Sequence, residues 1–565
     1  MPHLSRRSHP GLLAKYRQTK LAPSNTIELR LRTARRRVTL MKALEANSSI
    51  THYFKNRKCF LWHNWYSNQE TNRKRSQKTF MSYRIREVSH AGKFADLINL
   101  GLLKQLITTE AIEQALREAG VKPGRYRKIN KVVAIILILG LTLYPDHSIA
   151  NFLHEFTHQL TNLWSTDHFI PIRDDAFSHR RYKLGYKPLE ILWRNTVKPL
   201  ATLKTKGVYL FGLHLLAIDS TCIDVADTKE NAAHFGYPHK TVTCPFPQAR
   251  AVLLVECGTR AIIDAQISSC LIGERTGGFQ FLEKLHPGQL VLWDRGFHSY
   301  DFVKAVQKTG ADYLGRLPKR VKPRIIKKLN DGSYLAELGV PDDNDHKGEK
   351  PIRVRLLHYR LDAKGLPGDG EAHSLISSLL DHTRYPAKKL IEEYHQRWEV
   401  ETSIGQMKMS MGLGGILRSK KPVGVLQEIY ASLIIEYAIS YYRHESALAH
   451  NIDSDMISFE GTVILLRGAI TDGQQYIEEQ YDLLHKRLLA KSAQNLVPER
   501  DRRFNYRVLK SKRSPYGTKR PKHKNPPKPE KSFGESIVMI VMDTADKLKS
   551  LADAHESSNR LVLQC

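Results

Sequence analysis

The chain has no Cys-x-x-Cys pair. Its six cysteines (Cys59, Cys222, Cys244, Cys257, Cys270 and Cys565) stand far apart, which argues against a zinc ribbon or a disulfide framework and reads as reduced thiols in a cytosolic protein. Long apolar runs are also missing. The longest, Val132 to Leu143, is about a dozen residues, against the ~20 that a bilayer span needs. Lys and Arg crowd the N-terminus, but no apolar signal-peptide core follows them. These absences predict an intracellular protein with no membrane partner.

Acidic residues are scarce at both ends. Residues 1–86 hold 20 Lys/Arg against 3 Asp/Glu, and residues 486–531 hold 16 against 3. These ends carry nearly all of the net charge of +31 and leave a balanced centre. A polyanion is the partner this implies, most simply nucleic acid. Solvated tails without a specific partner are the plainer alternative. At 565 residues the chain is long enough for about two to four domains and a sizeable core.

Taken in order, residues 1–86 read as a basic, loosely ordered extension. Clusters at Arg35 to Arg37 and Arg73 to Arg75 flank an aromatic island with Trp62 and Trp65, and Met81 is an alternative start. Residues 87–200 read as helices: Phe94 to Leu106 and Ala111 to Ala119 follow helical spacing, and a buried apolar helix runs from Lys131 to Leu143. The stretch HEFTH, His154 to His158, matches the zinc-protease pattern H-E-x-x-H. No third ligand follows at the usual short spacing, so the match reads as accidental.

From Val208 the pattern changes to strands. One apolar run, VYLFGLHLLAID, ends on Asp219. A hairpin follows over Ala251 to Ile267, with a helix at about Phe279 to Leu285. QLVLWDRGF then puts Asp294 at the end of another strand, before a helix over 299–309 and a strand from Tyr313 to Leu317. The order βββαβαβ then helix predicts an α/β fold of the ribonuclease-H-like kind over 205–448, a mixed sheet with helices on both faces. Residues 319–371 read as a β-rich insertion with a basic run from Lys319 to Lys328, and SLISSLL (Ser374 to Leu380) as the last strand before the Tyr394 helix. Beyond lie GLGG, Arg418 and a long apolar helix from about Val423 to Tyr442. Helices over 455–493, a basic Pro-rich tail over 500–531 and a short helix at about Glu535 to Ala554 complete the chain.

The chemistry centres on YHQRWEVETSIGQMK, Tyr394 to Lys408. On one continuous helix Tyr394, Arg397, Glu401 and Lys408 fall within a stripe roughly 60° wide. By itself this could be a solvated face with an Arg397–Glu401 ion pair worth ~0.3–0.5 kcal/mol. Two aspartates closing apolar strands change that reading, because Asp219, Asp294 and Glu401 can then share a site. Three close carboxylates repel unless cations neutralise them, which suits a pair of Mg²⁺ ions and an in-line displacement at phosphorus. Arg397, Lys408 and Tyr394 suit the same substrate, as phosphate-gripping cations and a phenol.

These residues resemble the DDE transposases of the bacterial insertion sequence four (IS-four) family. Its signature of Tyr, two residues, Arg, three residues, Glu, six residues and Lys is met by Tyr394, Arg397, Glu401 and Lys408. AIDST resembles the block around the first catalytic aspartate, though Ser220 stands where Gly is commoner, and DRGF at Asp294 to Phe297 resembles the second. FPQAR (Phe246 to Arg250), LRSK (Leu417 to Lys420) and the helical SHRRYKLGYKPLEILW are also similar to the family. The resemblance implies a cut-and-paste transposase, cytoplasmic and nucleoid-associated. It would bind terminal inverted repeats of double-stranded DNA as a homodimer, free a 3′-OH and join it to target DNA with two Mg²⁺ ions, or Mn²⁺ in their place. Asp219 would bridge both metals, with Asp294 and Glu401 holding one each, while Tyr394, Arg397, Lys408, Arg295 and Arg418 grip DNA. Residues 87–200 would bind DNA, and 449–565 would add DNA contacts or dimerisation. The competing readings are an inactive DNA-binding relative and a ribonuclease-H-like nuclease without strand transfer.

Overall fold

A computed structural model describes residues 101–122, 129–161, 173–238, 245–362, 370–472, 478–498, 508–509, 517–518, 532 and 534–540. The chain divides into two units, Met1–Met81 and Ser82–Cys565, and everything described lies in the second. The expectations for the basic extension with Trp62, Trp65 and Met81, for Phe94 to Ile98, and for most of the 500–531 tail lie outside the described residues.

Helices come first. They are α1 (Thr109–Glu118), α2 (Lys131–Thr142), α3 (Ile149–Thr161), α4 (Asp174–Leu184) and α5 (Lys187–Thr196). Side-chain caps fix two of their starts: Thr108 accepts from Ala111 N at 3.1 Å and Asn130 accepts from Val133 N at 2.8 Å. The sheet region follows with β1 (Tyr209–Leu210), β2 (Leu213–Asp224), α6 (Lys229–Phe235), β3 (Gln248–Glu256) and β4 (Ile262–Ser269). It continues through α7 (Glu274–Phe279), β5 (Gln289–Trp293), α8 (Tyr300–Lys308), β6 (Asp312–Arg316), β7 (Arg324–Lys328), β8 (Tyr334–Leu338), β9 (Ile352–Leu361) and β10 (Ala372–Ser377). Then come α9 (Ala387–Gln396), α10 (Trp398–Ser410), α11 (Pro422–His450), α12 (Phe459–Asp472) and α13 (Glu478–Gln494). The last strands among the described residues are β11 (Val508–Leu509), β12 (Gly517–Thr518) and β13 (Ile537–Met539).

Nine strands line up in the order β4-β3-β2-β5-β6-β10-β9-β8-β7, with β1 added on β2 and β13 on β9. The sheet is mixed, since β2–β5 and β5–β6 are parallel while β2–β3 and β3–β4 are antiparallel. Alternation along β2 divides its side chains between two cores. Leu215 and Ala217 join the larger cluster with α2, α5 and α11, whereas Leu216 and Ile218 join Phe302, Val303 and Val306 of α8. Helices therefore cover both faces, and the fold is ribonuclease-H-like α/β. The strands of 319–371, β7 to β9, extend the same sheet through β10, which pairs with β9 on one side and β6 on the other.

Helix α11 runs through the larger core and is longer than expected, reaching His450. By length and composition it could cross a membrane, but 94% of its most apolar window is buried inside the fold. It is a core helix.

Several expectations need correction. The apolar run from Val208 to Asp219 is not one strand, because Phe211 (φ 53°) and Gly212 (φ 81°) make a two-residue hairpin turn between β1 and β2. The helix expected at Phe279 to Leu285 begins earlier, as α7, and gives way to a 3₁₀ turn at Leu282–Lys284. Two glycines that masked it are packing positions; a Cβ on Gly277 would lie 2.5 Å from Val252 Cγ2. The helix expected from Glu535 is contradicted where it is described, since Ile537–Met539 is a strand antiparallel to β9. The cause is an open edge. Strand β8 pairs with β9 only as far as Leu356, leaving main-chain groups of Tyr359 to Leu361 for β13 to satisfy.

One buried acid makes this core sensitive to pH. Glu436 of α11 is 1% exposed and accepts from Ser440 Oγ at 2.9 Å and from Ile262 N at 3.4 Å. Burial pushes its carboxyl up to about 7 from the ordinary 4.5. A raised folded pKa on an acid favours the fold below the unfolded value, and this contribution is lost as pH rises towards 7. Glu436→Gln is therefore expected to raise stability at pH 8 by up to ~3 kcal/mol and to change little at pH 4.5. Thermal melts of both proteins at the two pH values check it.

Candidate active site

Strands β2 and β5 run side by side in parallel, and their last ladder pair is Ile218 with Trp293. The next residue on each strand is an aspartate, Asp219 and Asp294. Ligand-binding groups of α/β sheets gather beyond such carboxyl ends. Asp219 is not at the end of its strand as expected, since β2 continues against β3 with Asp219 opposite Leu253. Only the parallel half of its pairing stops there. Asp294 opens a turn that Phe297 N closes by donating to the Asp294 carbonyl at 3.1 Å.

The expected single helix from Tyr394 to Lys408 is broken at Arg397, between α9 and α10. Arg397 N donates to Tyr394 O and Val400 N to Arg397 O, both at 3.1 Å, so the chain tightens there into three-residue 3₁₀ steps. The exposed stripe consequently does not exist. Tyr394 and Arg397 are buried (5% and 4% exposed), Lys408 is half-buried and Glu401 is exposed.

The break aims Arg397 at the carboxylates. Its Nη1 donates to Asp219 Oδ2 at 3.0 Å and its Nη2 to Glu401 Oε1 at 2.9 Å, while its guanidinium lies 6.0 Å from the Tyr394 ring centroid. One planar cation thus joins two acids from distant parts of the chain, a task for which an arginine fork is suited. Burial opposes the charge on Arg397, but Tyr394, Asp219, Glu401 and Asp294 together hold its pKa above the ordinary value. Asp219 is displaced upward, by burial first, with Arg397 and the Ser220 N–H acting against the rise and Glu401 and Asp294 adding to it. Asp219 therefore senses both of the other carboxylates. Asp294 Oδ1 is buried and has no hydrogen-bond partner among the described residues.

Removing the cation should be costly. Breaking a buried ion pair from one side costs about 3–5 kcal/mol, and the 42% exposure of the Glu401 side chain reduces this to roughly 2 kcal/mol for Arg397→Ala. Arg397→Lys is expected to recover less than half, because an ammonium lacks the fork. Urea denaturation at pH 7 measures both.

Other expected DNA-contacting residues are engaged by the protein. The Tyr394 hydroxyl donates to the Trp293 carbonyl at 3.2 Å, and burial raises its pKa to about 12. Lys408 Nζ donates to Cys222 O at 3.0 Å, with a pKa lowered by burial. Arg418, half-buried, donates to the carbonyls of Tyr144 (3.2 Å) and Pro145 (2.9 Å). Of the five, only Arg295 has an exposed side chain. A cavity of about 450 Å³ lies beside Lys408, lined also by Met411, Arg418 and Arg181. In the HEFTH stretch His154 and Glu155 are exposed, and Glu155 pairs with His147 at 2.8 Å. Among the described residues no three His, Cys, Asp or Glu side chains already stand as a metal-ligand group.

Sequence reasoning missed Glu274, at the start of α7. Its Oε2 accepts from the Ser220 hydroxyl, and Arg250 Nη1 lies 3.9 Å from the same oxygen. The only local signal was an acidic residue opening a helix just after Gly273.

Residues 211–435, which hold β2 to β10 of the mixed sheet, both aspartates and Glu401, match the family described as Transposase DDE domain. Residues 97–194 match the Insertion element 4 transposase N-terminal family. The chain belongs to the DDE transposases of the insertion sequence IS4 type, enzymes that cleave and transfer DNA strands with divalent metal ions. It is 25% identical to transposase InsG for insertion sequence element IS4 of Escherichia coli (strain K12), over 62% of this chain and 80% of that protein. A solved structure, the piggyBac transposase synaptic complex with hairpin DNA, aligns over 68% of this chain and 84% of that one, at 12% identity and a TM-score of 0.38.

Proposed function

We propose that Asp219, Asp294 and Glu401 carry phosphodiester cleavage at the terminal inverted repeats of an insertion sequence, and then the joining of the freed 3′-OH to target DNA. The observation that carries this reading is the Arg397 bridge between Asp219 and Glu401, beside a strand tip that presents Asp294. Residues far apart in sequence share one electrostatic site.

The donor set fits divalent cations such as Mg²⁺, with Mn²⁺ as a substitute. It offers three carboxylates, one with a buried unpartnered oxygen. Asp219, Asp294 and Glu401 would hold the two ions. Such ions, when bound, stabilise the attacking and leaving oxygens at phosphorus. Arg397 meanwhile neutralises and orients Asp219 and Glu401, and the oxygens it grips are among those that metal binding needs. Tyr394 supports this arrangement from behind, through the carbonyl that precedes Asp294.

Arg295, exposed in the turn after β5, contacts the DNA backbone near the scissile bond. Lys408 and Arg418 reach DNA by exchanging carbonyl partners for phosphates. The helical region 87–200 binds the repeat, the region 449–565 with its basic run adds backbone contacts or dimerisation, and two copies pair the element ends. The protein works in the cytoplasm, on the nucleoid.

A joining assay tests this. Purified protein with Mg²⁺, a duplex ending in the inverted repeat and a supercoiled target plasmid should yield a 3′-OH at the element end and then end-joined plasmid. Cleavage without joining would favour the nuclease reading. Binding without cleavage would favour an inactive relative.

A further inference from the structure

We propose that Glu274 is a positioning residue for the two aspartates: its carboxylate, held between Ser220 and Gly296, sets the spacing between Asp219 on β2 and Asp294 just after β5. The proposal rests on the assignment of Asp219 and Asp294 to the reaction.

Each end of the Glu274 carboxylate addresses one aspartate-bearing segment. Oε2 accepts from the hydroxyl of Ser220, the residue after Asp219. The Ser220 N–H in turn donates to Asp219 Oδ1 at 2.7 Å, so whatever orients Ser220 orients the aspartate beside it. Oε1 faces Gly296, in the turn that Asp294 opens, and a Cβ there would lie 2.0 Å from it. Gly296 does not have a left-handed φ, so a side chain there would act by pushing the Glu274 carboxylate aside rather than by straining the backbone. Arg275, the next residue of α7, donates to the Gly296 carbonyl at 3.4 Å.

The helix that carries Glu274 is itself tightly fixed. Gly277 packs on Val252 of β3, and a Cβ on Gly278 would stand 3.0 Å from the ring of Phe297, the residue that closes the Asp294 turn. Close packing transmits displacement, because a dense interior has no slack to absorb it. The contacts suit a spacer that acts by shape and hydrogen-bond acceptance. Arg250 Nη1 stands 3.9 Å from Oε2, beyond hydrogen-bond reach, so acceptance weighs more than charge.

A double-mutant cycle on single-turnover end cleavage in Mg²⁺ tests the idea, with DNA affinity and thermal melting as controls. Misplacement by about 1 Å costs on the order of 10²-fold in rate. Glu274→Ala is expected to slow cleavage ~10- to 100-fold while end affinity stays within about twofold. Glu274→Gln, which keeps a carbonyl acceptor of the same size, is expected to restore most of the rate. Gly296→Ala should slow the wild-type enzyme to a similar degree yet add nothing in the Glu274→Ala background, since its Cβ then has room. The amides of Ser220 and Gly296 should exchange with deuterium faster in Glu274→Ala with global melting unchanged.

Three results would overturn the proposal: Gln as damaging as Ala, losses that multiply across the cycle, or wild-type cleavage by Glu274→Ala. Should Glu274→Ala fail to fold, Ser220→Gly removes the donor more gently, and an unchanged rate in that variant would also overturn it. An Asp219→Ala arm separates the two levels of inference. If that variant cleaves normally, the site assignment falls; if it is inert while the cycle multiplies, only the role of Glu274 falls.

Discussion

Alanine at Asp219, Asp294 or Glu401 is expected to lower the rate of element-end cleavage by on the order of 10³-fold or more, with end binding kept within a few-fold. The separation follows from where these side chains sit. Asp219 and Asp294 follow the last parallel ladder pair of β2 and β5, Glu401 lies on α10, and the cations proposed to hold DNA are other residues. Removing one carboxylate removes negative charge from the site, so affinity for a polyanion does not fall. The three losses should not multiply, because groups that act as a unit fail together. Stability distinguishes the variants further. Asp219→Ala leaves the buried Arg397 with the more exposed Glu401 alone, whereas Glu401→Ala leaves the more buried Asp219 contact intact. The first is therefore expected to melt at the lower temperature. Cleavage of labelled end DNA and gel-shift titration of the same preparations measure both properties.

Raising salt from 50 to 200 mM is expected to weaken end binding by ~10³-fold or more. Nearly all of the net charge of +31 resides in the two terminal regions, and phosphate neutralisation by about six or more Lys/Arg side chains releases a matching number of counterions. A plot of log K against log salt should be linear and steep. Deleting residues 500–531 should make it shallower, because the phosphate contacts drawn from that run are lost. A flat response would rule out phosphate-dominated binding. Fluorescence anisotropy with an end duplex across the salt series gives the slope directly.

Much of the site was legible because its chemistry is written locally. Asp219 and Asp294 each close an apolar run, and the parallel ladder ends on the residue before each. The break at Arg397 was not legible. YHQRWEVE contains no Gly or Pro, so nothing local signals an interruption. The interruption instead accompanies the burial of Arg397 against an aspartate 178 residues away, a tertiary effect that overrides local propensity. The same reasoning covers β13, a strand only because β9 leaves main-chain groups open at Tyr359 to Leu361. Helix α7 was misplaced because its glycines read as breakers, when they are points of close approach to Val252 and Phe297. Glu274 was invisible for the related reason that its partners lie on two other segments.

Iron-directed cleavage of the polypeptide tests the central claim most directly. Fe²⁺ replaces the divalent ion, ascorbate and peroxide generate hydroxyl radicals at the bound metal, and the backbone is cut next to its ligands. The account predicts cuts clustered near residues 219, 294 and 401 together, suppressed by excess Mg²⁺ and absent in Asp219→Ala. Cuts at only one of these places, or around His154 instead, would contradict a shared three-carboxylate site.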